Sequence, residues 1–476
     1  MGGAIRKMDV VYERLNADIT PEALAQLKAH KIILESASQN KTKGRYSVVA
    51  LDIYGEVILT EDQLEIKTPF DTTITSNHPY QKLKDFVQSY YSEVEDEQLK
   101  DLPFISGFIG YCSFDLVRHE FPVLKRSAVK DKPEQNDVHL YMIEDVYVFD
   151  HYKEYLYVIS TNLFSKENKI AIEDKVKKQV EALQNIKLYQ PDTSFVPIQK
   201  EIIPNIPDNQ FIQTISKFKQ LITEGDMFQV VPSRIYRYQH GFGDKLHALS
   251  YQLYRKLKRQ NPSPYMYYLN IDEPIIVDSS PESFVKVKGS EVVTNPIAGT
   301  IKRGKTPEED EANAKQLLSD EKELSEHSML VDLGRNDIHR VSQTGTSKIE
   351  RLMEIEKYEH VMHIVSVVTG QLKEKISPMD IIASLLPTGT VSGAPKLRAI
   401  ERIYEAHPYK RGVYSGGVGY INCNHDLDFA LAIRTMLIDE TYVDVEAGCG
   451  VVYDSIPEKE LEETRLKAKS LLEVTP

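Results

Sequence analysis

With 476 residues, 41% of them hydrophobic and 27% charged, the chain has an ordinary soluble composition and the length for two or more domains. Acidic side chains outnumber basic ones by 71 to 58, which argues against a nucleic-acid partner. The same balance means that an anionic ligand has to be held by local cations rather than by the overall field.

In chain order, the segment Met1–Arg6 lacks the apolar core of a signal peptide, and Arg6 breaks the myristoylation pattern. No apolar run is long enough to span a bilayer. The three scattered cysteines, Cys112, Cys423 and Cys449, suit a reducing compartment, and a cytoplasmic location is expected. Residues 1–190 mix strands, such as Tyr46–Asp52 and Tyr155–Ser160, with helices. Lys166 to Asn185 reads as a surface helix with Ile170, Val176, Val180 and Leu183 on one stripe. Prolines 191, 197, 204 and 207 mark residues 191–207 as a connection, and 208–476 as a second domain.

In that second part Asp208 is expected to cap a helix whose apolar positions include Phe211, Ile215 and Phe218, with Gly225 closing it. Strands are expected at Met227–Tyr238, Tyr265–Ile271, Pro274–Val277, His363–Leu372, Gly412–Asn422, Leu427–Asp439 and Tyr442–Tyr453. Thr306-Pro-Glu-Glu309 is a capping box, and Ser377-Pro-Met-Asp380 makes a similar start. Short connections and the lack of βαβ alternation predict an α+β fold, with antiparallel sheets and helices outside.

Two Glu-x-x-Glu pairs, Glu323/Glu326 and Glu460/Glu463, each place both carboxylates on one helical face. Four carboxylates in one place need a hard cation, and carboxylates plus water are the usual Mg²⁺ arrangement; from spacing alone, solvated surface acids are the commoner explanation. The glycine-rich Pro387–Lys396 turn is no P-loop, because three residues separate Gly389 from Gly393 and no Gly-Lys-Ser/Thr follows. The glycines of Tyr414–Gly419 lie in a strand pattern, where they are expected to let a ligand approach the backbone. His327 reads as a structural histidine. Phe114 stands where a glutaminase elbow after Cys112 needs glycine, so Cys112 reads as packing and the chain as unable to release ammonia from glutamine.

Read together, several stretches resemble the chorismate-utilising enzyme family. They are Asp278-Ser-Ser-Pro-Glu282, Pro296-Ile-Ala-Gly-Thr300, Glu323-Leu-Ser-Glu-His327 with Val331–Asp337, and His360-Val-Met-His363. Gly389–Lys396, Ala432-Ile-Arg434 and Glu463-Thr-Arg-Leu-Lys467 complete the set, and Ile33–Ser36 with Gly44–Tyr46 match more thinly. The resemblance implies the sandwich-like fold of that family and a Mg²⁺ cofactor held directly by Glu326 and Glu463, and through water by Glu323 and Glu460. It implies that Arg434, Tyr414 and Lys467 hold substrate carboxylate, with backbone near Gly299, Thr300, Gly448, Cys449 and Gly450 completing the cradle. Glu282 would be the general acid, while His363 and Thr390 would line the ring and assist loss of pyruvate.

Within the family, isochorismate- and salicylate-forming members carry a water-activating lysine where Gln229 stands, and many aminodeoxychorismate-forming members carry a nucleophilic lysine where Ala298 stands. Lacking both, the chain resembles the branch that turns chorismate and ammonia into anthranilate and pyruvate on the way to tryptophan. That branch takes ammonia from a glutamine amidotransferase subunit, in a heterotetramer of two large and two small subunits. Asn261–Met266 and Leu34–Ser36 resemble its feedback site for L-tryptophan, with Glu35, Ser36, Pro264, Tyr265 and Met266 as contacts. The alternatives are an enzyme making the para-amino isomer and a non-catalytic tryptophan-binding homologue. The chain has no tryptophan of its own, which composition bias explains better than thrift in an enzyme needed when tryptophan is scarce.

Overall fold

A computed structural model describes residues 7–36, 44–358 and 361–476. The Met1–Arg6 segment and His360 of the His-Val-Met-His motif lie outside these. No helix among the described residues is long and apolar enough to cross a membrane.

Two large antiparallel sheets form the core. The first has eleven strands, in the order Val10–Asn16, Tyr155–Thr161, Asp145–Asp150, Tyr46–Ala50, Lys31–Glu35, Tyr265–Asn270, Ile275–Ser280, Thr435–Ile438, Tyr442–Gly448, Ser233–Gln239 and Ile203–Pro204. The second runs Ile297–Lys302, Val361–Gln371, Glu291–Thr294, Ser283–Lys288, Leu427–Leu431, Gly417–Asn422, Gly107–Cys112, Val138–Ile143, Gly55–Leu59, Leu64–Lys67 and Thr72–Thr75, with Lys348–Lys357 beside Val361–Gln371. Both sheets take strands from before and after the proline-rich stretch 191–207.

The two-residue period of a strand decides which face each side chain enters. Ile32 and Leu34 pack with Phe108, Leu140, Ile421 and Phe429 between the sheets. Ile33, between them in sequence, faces the opposite way, where Tyr254 and Leu257 of the Leu246–Gln260 helix join Tyr268 and Val443. Each such fully buried large side chain contributes about 1.5–3 kcal/mol by leaving water. A third cluster gathers Phe211, Ile215, Phe218, Ile400, Tyr404 and Leu461 from three outer helices. The α+β architecture with helices outside is therefore the observed one.

Several boundaries differ from expectation for identifiable reasons. The first surface helix spans Lys169–Leu183, because Asn168 caps it by accepting from the Ala171 amide at 3.0 Å. That start turns Ile172 inward and leaves Ile170 exposed. Pro207, not Asp208, occupies the cap of the Asp208–Thr223 helix, and the Asp208 carboxylate instead takes Arg234 and Arg465. Thr306 accepts from the Glu309 amide at 3.2 Å, as a capping box requires. Met227–Tyr238 breaks at Pro232 into Gln229–Val230 and Ser233–Gln239. Pro232 has no amide to donate to a ladder.

The break within Leu427–Asp439 matters most. Leu427–Leu431 belongs to the second sheet and Thr435–Ile438 to the first, so the chain changes sheets at 432–434. Arg434 makes the corner with φ +57°. The neighbouring strand does the same: Ile275–Ser280 lies in the first sheet and Ser283–Lys288 in the second, with Pro281 and Glu282 at the crossing. The corners are tied to each other. Ser280 Oγ donates to the Leu431 carbonyl at 2.6 Å, the Leu431 amide to the Glu282 carbonyl at 2.9 Å, and the Ser279 amide to the Arg434 carbonyl at 3.1 Å.

Candidate active site

The paired corners open onto a cavity of about 500 Å³. Glu282, Thr390, Arg434 and Tyr414 line it. So do Gly299, Thr300 and His363 of the paired strands Ile297–Lys302 and Val361–Gln371, and Gly448, Gly450 and Lys467. All four glutamates of the two Glu-x-x-Glu pairs reach it. Residues far apart in sequence thus meet as the motifs anticipated.

Each acid pair sits near the N-terminus of its helix, where the aligned peptide dipoles favour negative charge. Asp320 caps the Glu321–Val341 helix by accepting from the Lys322 and Glu323 amides at 3.0 and 3.1 Å, which fixes Glu323 and Glu326 on its first two turns. Pro457 starts the Pro457–Leu472 helix, placing Glu460 and Glu463 likewise. Burial, then the charges of Glu326, Asp320 and Glu463, hold the Glu323 carboxyl above its ordinary pKa. Burial raises Glu460 against a hydrogen bond from Ser455, and the Glu463 charge adds to the rise. Glu460 Oε2 is buried and accepts no hydrogen bond among the described residues. Gln229 Nε2 donates to Glu326 Oε1 at 3.2 Å.

These features fit a hard cation: the donors are all oxygen, the carboxylates repel one another, and one buried oxygen lacks a partner. The four acids are not drawn into a tight trio. Three or more ligating atoms within 4.8 Å of one another occur, among the described residues, at Glu56/His139/Asp272 and Glu61/His119/Asp137. Two direct ligands and two acting through water do not require that closeness.

Glu282, in the same cavity, is buried, and burial pushes its carboxyl up to about 8, against a hydrogen bond from Thr390 at 3.2 Å. It is therefore a neutral acid at pH 7. The Arg434 guanidinium is open to the cavity yet surrounded by protein, which holds its pKa below the usual arginine value. No ion pair occupies it among the described residues, so it faces the cavity as a free cation. His363 Nδ1 lies 2.9 Å from Thr300 Oγ1, its ring meets Tyr358 edge-on, and burial lowers its pKa, so the imidazole is neutral. Gly299 has φ +83°, and a Cβ there would stand 2.9 Å from Ile364 Cδ1.

Three expectations need correction. Cys449 does not reach the cavity: its side chain is buried in the third apolar cluster, and its amide donates to the Pro232 carbonyl. It stands just past the end of its strand, between Gly448 and Gly450, which line the cavity. The strand glycines serve packing rather than ligand approach, because a Cβ on Gly417 would meet the Phe284 ring at 2.1 Å. Lys467 lines the cavity but is engaged, its Nζ 2.6 Å from Glu463 and 3.0 Å from the Gly448 carbonyl. Gln229 was noticed in the sequence only for what it lacks; its support of Glu326 has no sequence signal. His327, buried between the Ala298 carbonyl and Ser366 Oγ, is the structural histidine expected. Cys112 is fully buried with its thiol pKa raised by burial.

A second cavity of about 530 Å³ lies between Leu34–Ser36, Gly44–Tyr46, Pro264, Tyr265 and the Ser283–Lys288 strand. Tyr265 lines it and donates to Asp428 at 3.1 Å. Glu35 lines it too, with its carboxylate held by Ser47 at 3.1 Å and Lys258 at 2.8 Å. Met266 does not: it pairs in register with Glu35 and is fully buried among the Leu246–Gln260 helix residues. Ser283 of this cavity follows Glu282 of the first, so one peptide separates the two.

Comparison with known proteins gives the family and the fold. The profile of the chorismate binding enzyme family matches residues 30–473. Anthranilate synthase component 1 of Lactococcus lactis is 40% identical over 448 residues, covering 94% of each chain. That of Acetivibrio thermocellus is 38% identical, over 92% of this chain and 89% of its own. The crystal structure of anthranilate synthase component I from Streptococcus pneumoniae superimposes with a TM-score of 0.79 and 34% identity, over 96% of this chain and 99% of the other. The isochorismate synthase MenF of Escherichia coli shares the fold, with a TM-score of 0.70 at 18% identity.

Proposed function

The chain belongs to the chorismate binding enzyme family, and from that membership we propose that it converts chorismate and ammonia to anthranilate, pyruvate and water in tryptophan biosynthesis. It is an enzyme of the anthranilate synthase component 1 type, as its relatives are. The observation that carries the choice of reaction is the pair Gln229 and Ala298, both on the cavity wall. In other branches of the family a lysine at one of these two positions recruits water or attacks the ring, so their replacement by glutamine and alanine favours ammonia, a nucleophile needing no activation.

In this reading Glu326 and Glu463 would hold Mg²⁺, with Glu323 and Glu460 acting through water. When bound, the ion supplies positive charge to the ring carboxylate of chorismate. Arg434 offers a planar fork to carboxylate oxygens, and Tyr414 lines the same cavity. Glu282 gives its proton to the ring hydroxyl, so that the C–O bond breaks and water departs. Such a donor is worth about 10²–10⁴ in rate. Ammonia forms its bond to the ring carbon beside the carboxylate-bearing one as the ring double bonds shift, and the new amine loses a proton. Loss of a ring proton then breaks the enolpyruvyl C–O bond and makes the ring aromatic, and the departing enolate takes a proton on its methylene carbon to become pyruvate. Thr390 keeps Glu282 oriented, and neutral His363 with Thr300 lines the ring for that last step.

A glutamine amidotransferase subunit would deliver the ammonia, in a cytoplasmic assembly of two large and two small subunits. L-tryptophan would inhibit from the second cavity, through Ser36, Pro264, Tyr265 and the backbone of Glu35. The test is direct: pure chain, chorismate, Mg²⁺ and ammonium, with the product identified by chromatography. Anthranilate is expected. A para-amino or hydroxylated ring would refute the assignment, and no turnover at all would favour a binding-only homologue.

A further inference from the structure

Arg411 is buried behind the cavity wall and does not line it. No carboxylate forms an ion pair with its guanidinium among the described residues, an expensive state for a buried charge. Its partners are two backbone carbonyls. Nη1 donates to the Val391 carbonyl and Nη2 to the Val231 carbonyl, each at 2.8 Å. A longer contact of 3.5 Å reaches Ser415 Oγ, and the guanidinium sits 4.6 Å from the Phe114 ring centroid.

Those carbonyls belong to the two halves of the site. Val391 follows Thr390, whose hydroxyl is 3.2 Å from Glu282. Val231 lies two residues beyond Gln229, which donates to Glu326. The segments already meet in a short ladder: Gln229 opposite Ala394, Val230 opposite Gly393, and the Val231 amide on the Ser392 carbonyl at 3.0 Å. Gly393 is required there, since its φ is +130° and a Cβ would stand 2.2 Å from the Gln229 carbonyl oxygen. The ladder ends at Val231, and the Arg411 fork takes the next two carbonyls. Only a rigid planar donor holds both at fixed spacing; a lysine ammonium holds one well.

We propose that Arg411 is a positioning residue that fixes the general acid relative to the carboxylate cluster, acting on the chemical step rather than on capture of chorismate. This rests on the reading of the cavity as the site of chorismate chemistry. Charge for the substrate comes from Arg434 and the glutamates, which Arg411 does not touch; of the residues on the wall it meets the Tyr414 ring, at 5.7 Å from the centroid, so its loss should appear in kcat far more than in KM.

The experiment compares Arg411→Lys and Arg411→Met in the full chain with wild type, measuring kcat and KM for chorismate at saturating ammonium and Mg²⁺, with a melting curve for each. A displacement of about 1 Å at a reacting group costs up to about 10²-fold, so a kcat loss of about tenfold or more is expected for Arg411→Met. Arg411→Lys should fall between it and wild type, with KM held within about threefold in both. A folded variant with wild-type kcat, even if it melts earlier, overturns the proposal, as does a loss confined to KM. If Arg411→Met does not fold, Arg411→Lys decides by the same criteria. Wild-type chain that makes another product from chorismate refutes the functional reading alone, and the comparison is then made on that product. Wild-type chain inert toward chorismate overturns both.

Discussion

Replacing Glu282 by glutamine keeps the shape of the side chain and an oxygen for the Thr390 hydroxyl, but removes the proton that can be donated. Burial raises the carboxyl from 4.5 to about 8, so between those values the folded protein binds one proton that the unfolded chain has released. Wild-type stability therefore falls as pH rises through this window, by about 1.4 kcal/mol per pH unit, while the glutamine variant is free of that slope. Between pH 5 and pH 7 the variant should gain about 3 kcal/mol on wild type. At about 2.1 cal/mol/K per residue, the unfolding entropy of 476 residues is about 1 kcal/mol/K, so the gain is about 3 °C in Tm. Thermal melts of both proteins across that range, with chelator present and chorismate absent, measure it. The same variant should lose about 10²–10⁴ in kcat. A melting gap that stays constant with pH would falsify the neutral buried acid, and full activity would remove Glu282 from the reaction.

Glu326→Gln and Glu463→Gln should each abolish turnover that depends on Mg²⁺ while the melting temperature in chelator stays near that of wild type. Full activity in either disposes of the metal arrangement. Arg434→Lys exchanges a fork for a point charge and should raise the KM for chorismate about tenfold, the worth of one charge-assisted hydrogen bond; an unchanged KM shows that the substrate carboxylate lies elsewhere. Ser36→Ala should leave kcat nearly intact and shift the L-tryptophan inhibition curve to higher concentration, and a superimposable curve defeats the assignment of the second cavity.

What could be read from the sequence was whatever repeats locally or carries a side-chain signature. The Thr306 and Ser377 helix starts, the Phe211/Ile215/Phe218 stripe and the Glu-x-x-Glu faces follow from periods of three and four that any helix imposes. The family motifs located Glu282, Arg434 and the four glutamates before any contact was visible. Strand ends and sheet membership were harder. Leu427–Asp439 is mainly apolar on both sides of the break, because both of its halves are buried, and Arg434 stands there as one of several polar residues with Asp428, Thr435 and Asp439, so its charge alone does not mark the corner. Asp208 looked like a cap because aspartate caps many helices, yet two arginines from distant parts of the chain outcompeted the helix amides for it. The resemblance puts Cys449 and Met266 in sites beside true lining residues, but Met266 faces away by the alternation of its strand and Cys449, just past the end of its own, packs into the third apolar cluster. Arg411 carried no signal at all, since its acceptors are carbonyls, which every residue possesses.

The interleaving of the sheets has a consequence for how the chain is made. Gly107–Cys112 pairs with Gly417–Asn422, which leaves the ribosome roughly 300 residues later. At about 5–20 residues per second, that edge waits on the order of 15–60 s for its neighbour. Open apolar edges recruit other strands, so the nascent chain passes through a long interval in which partners in trans compete with its own unsynthesised half. Supply of active enzyme in the cell is thereby tied to shielding during translation as well as to final stability.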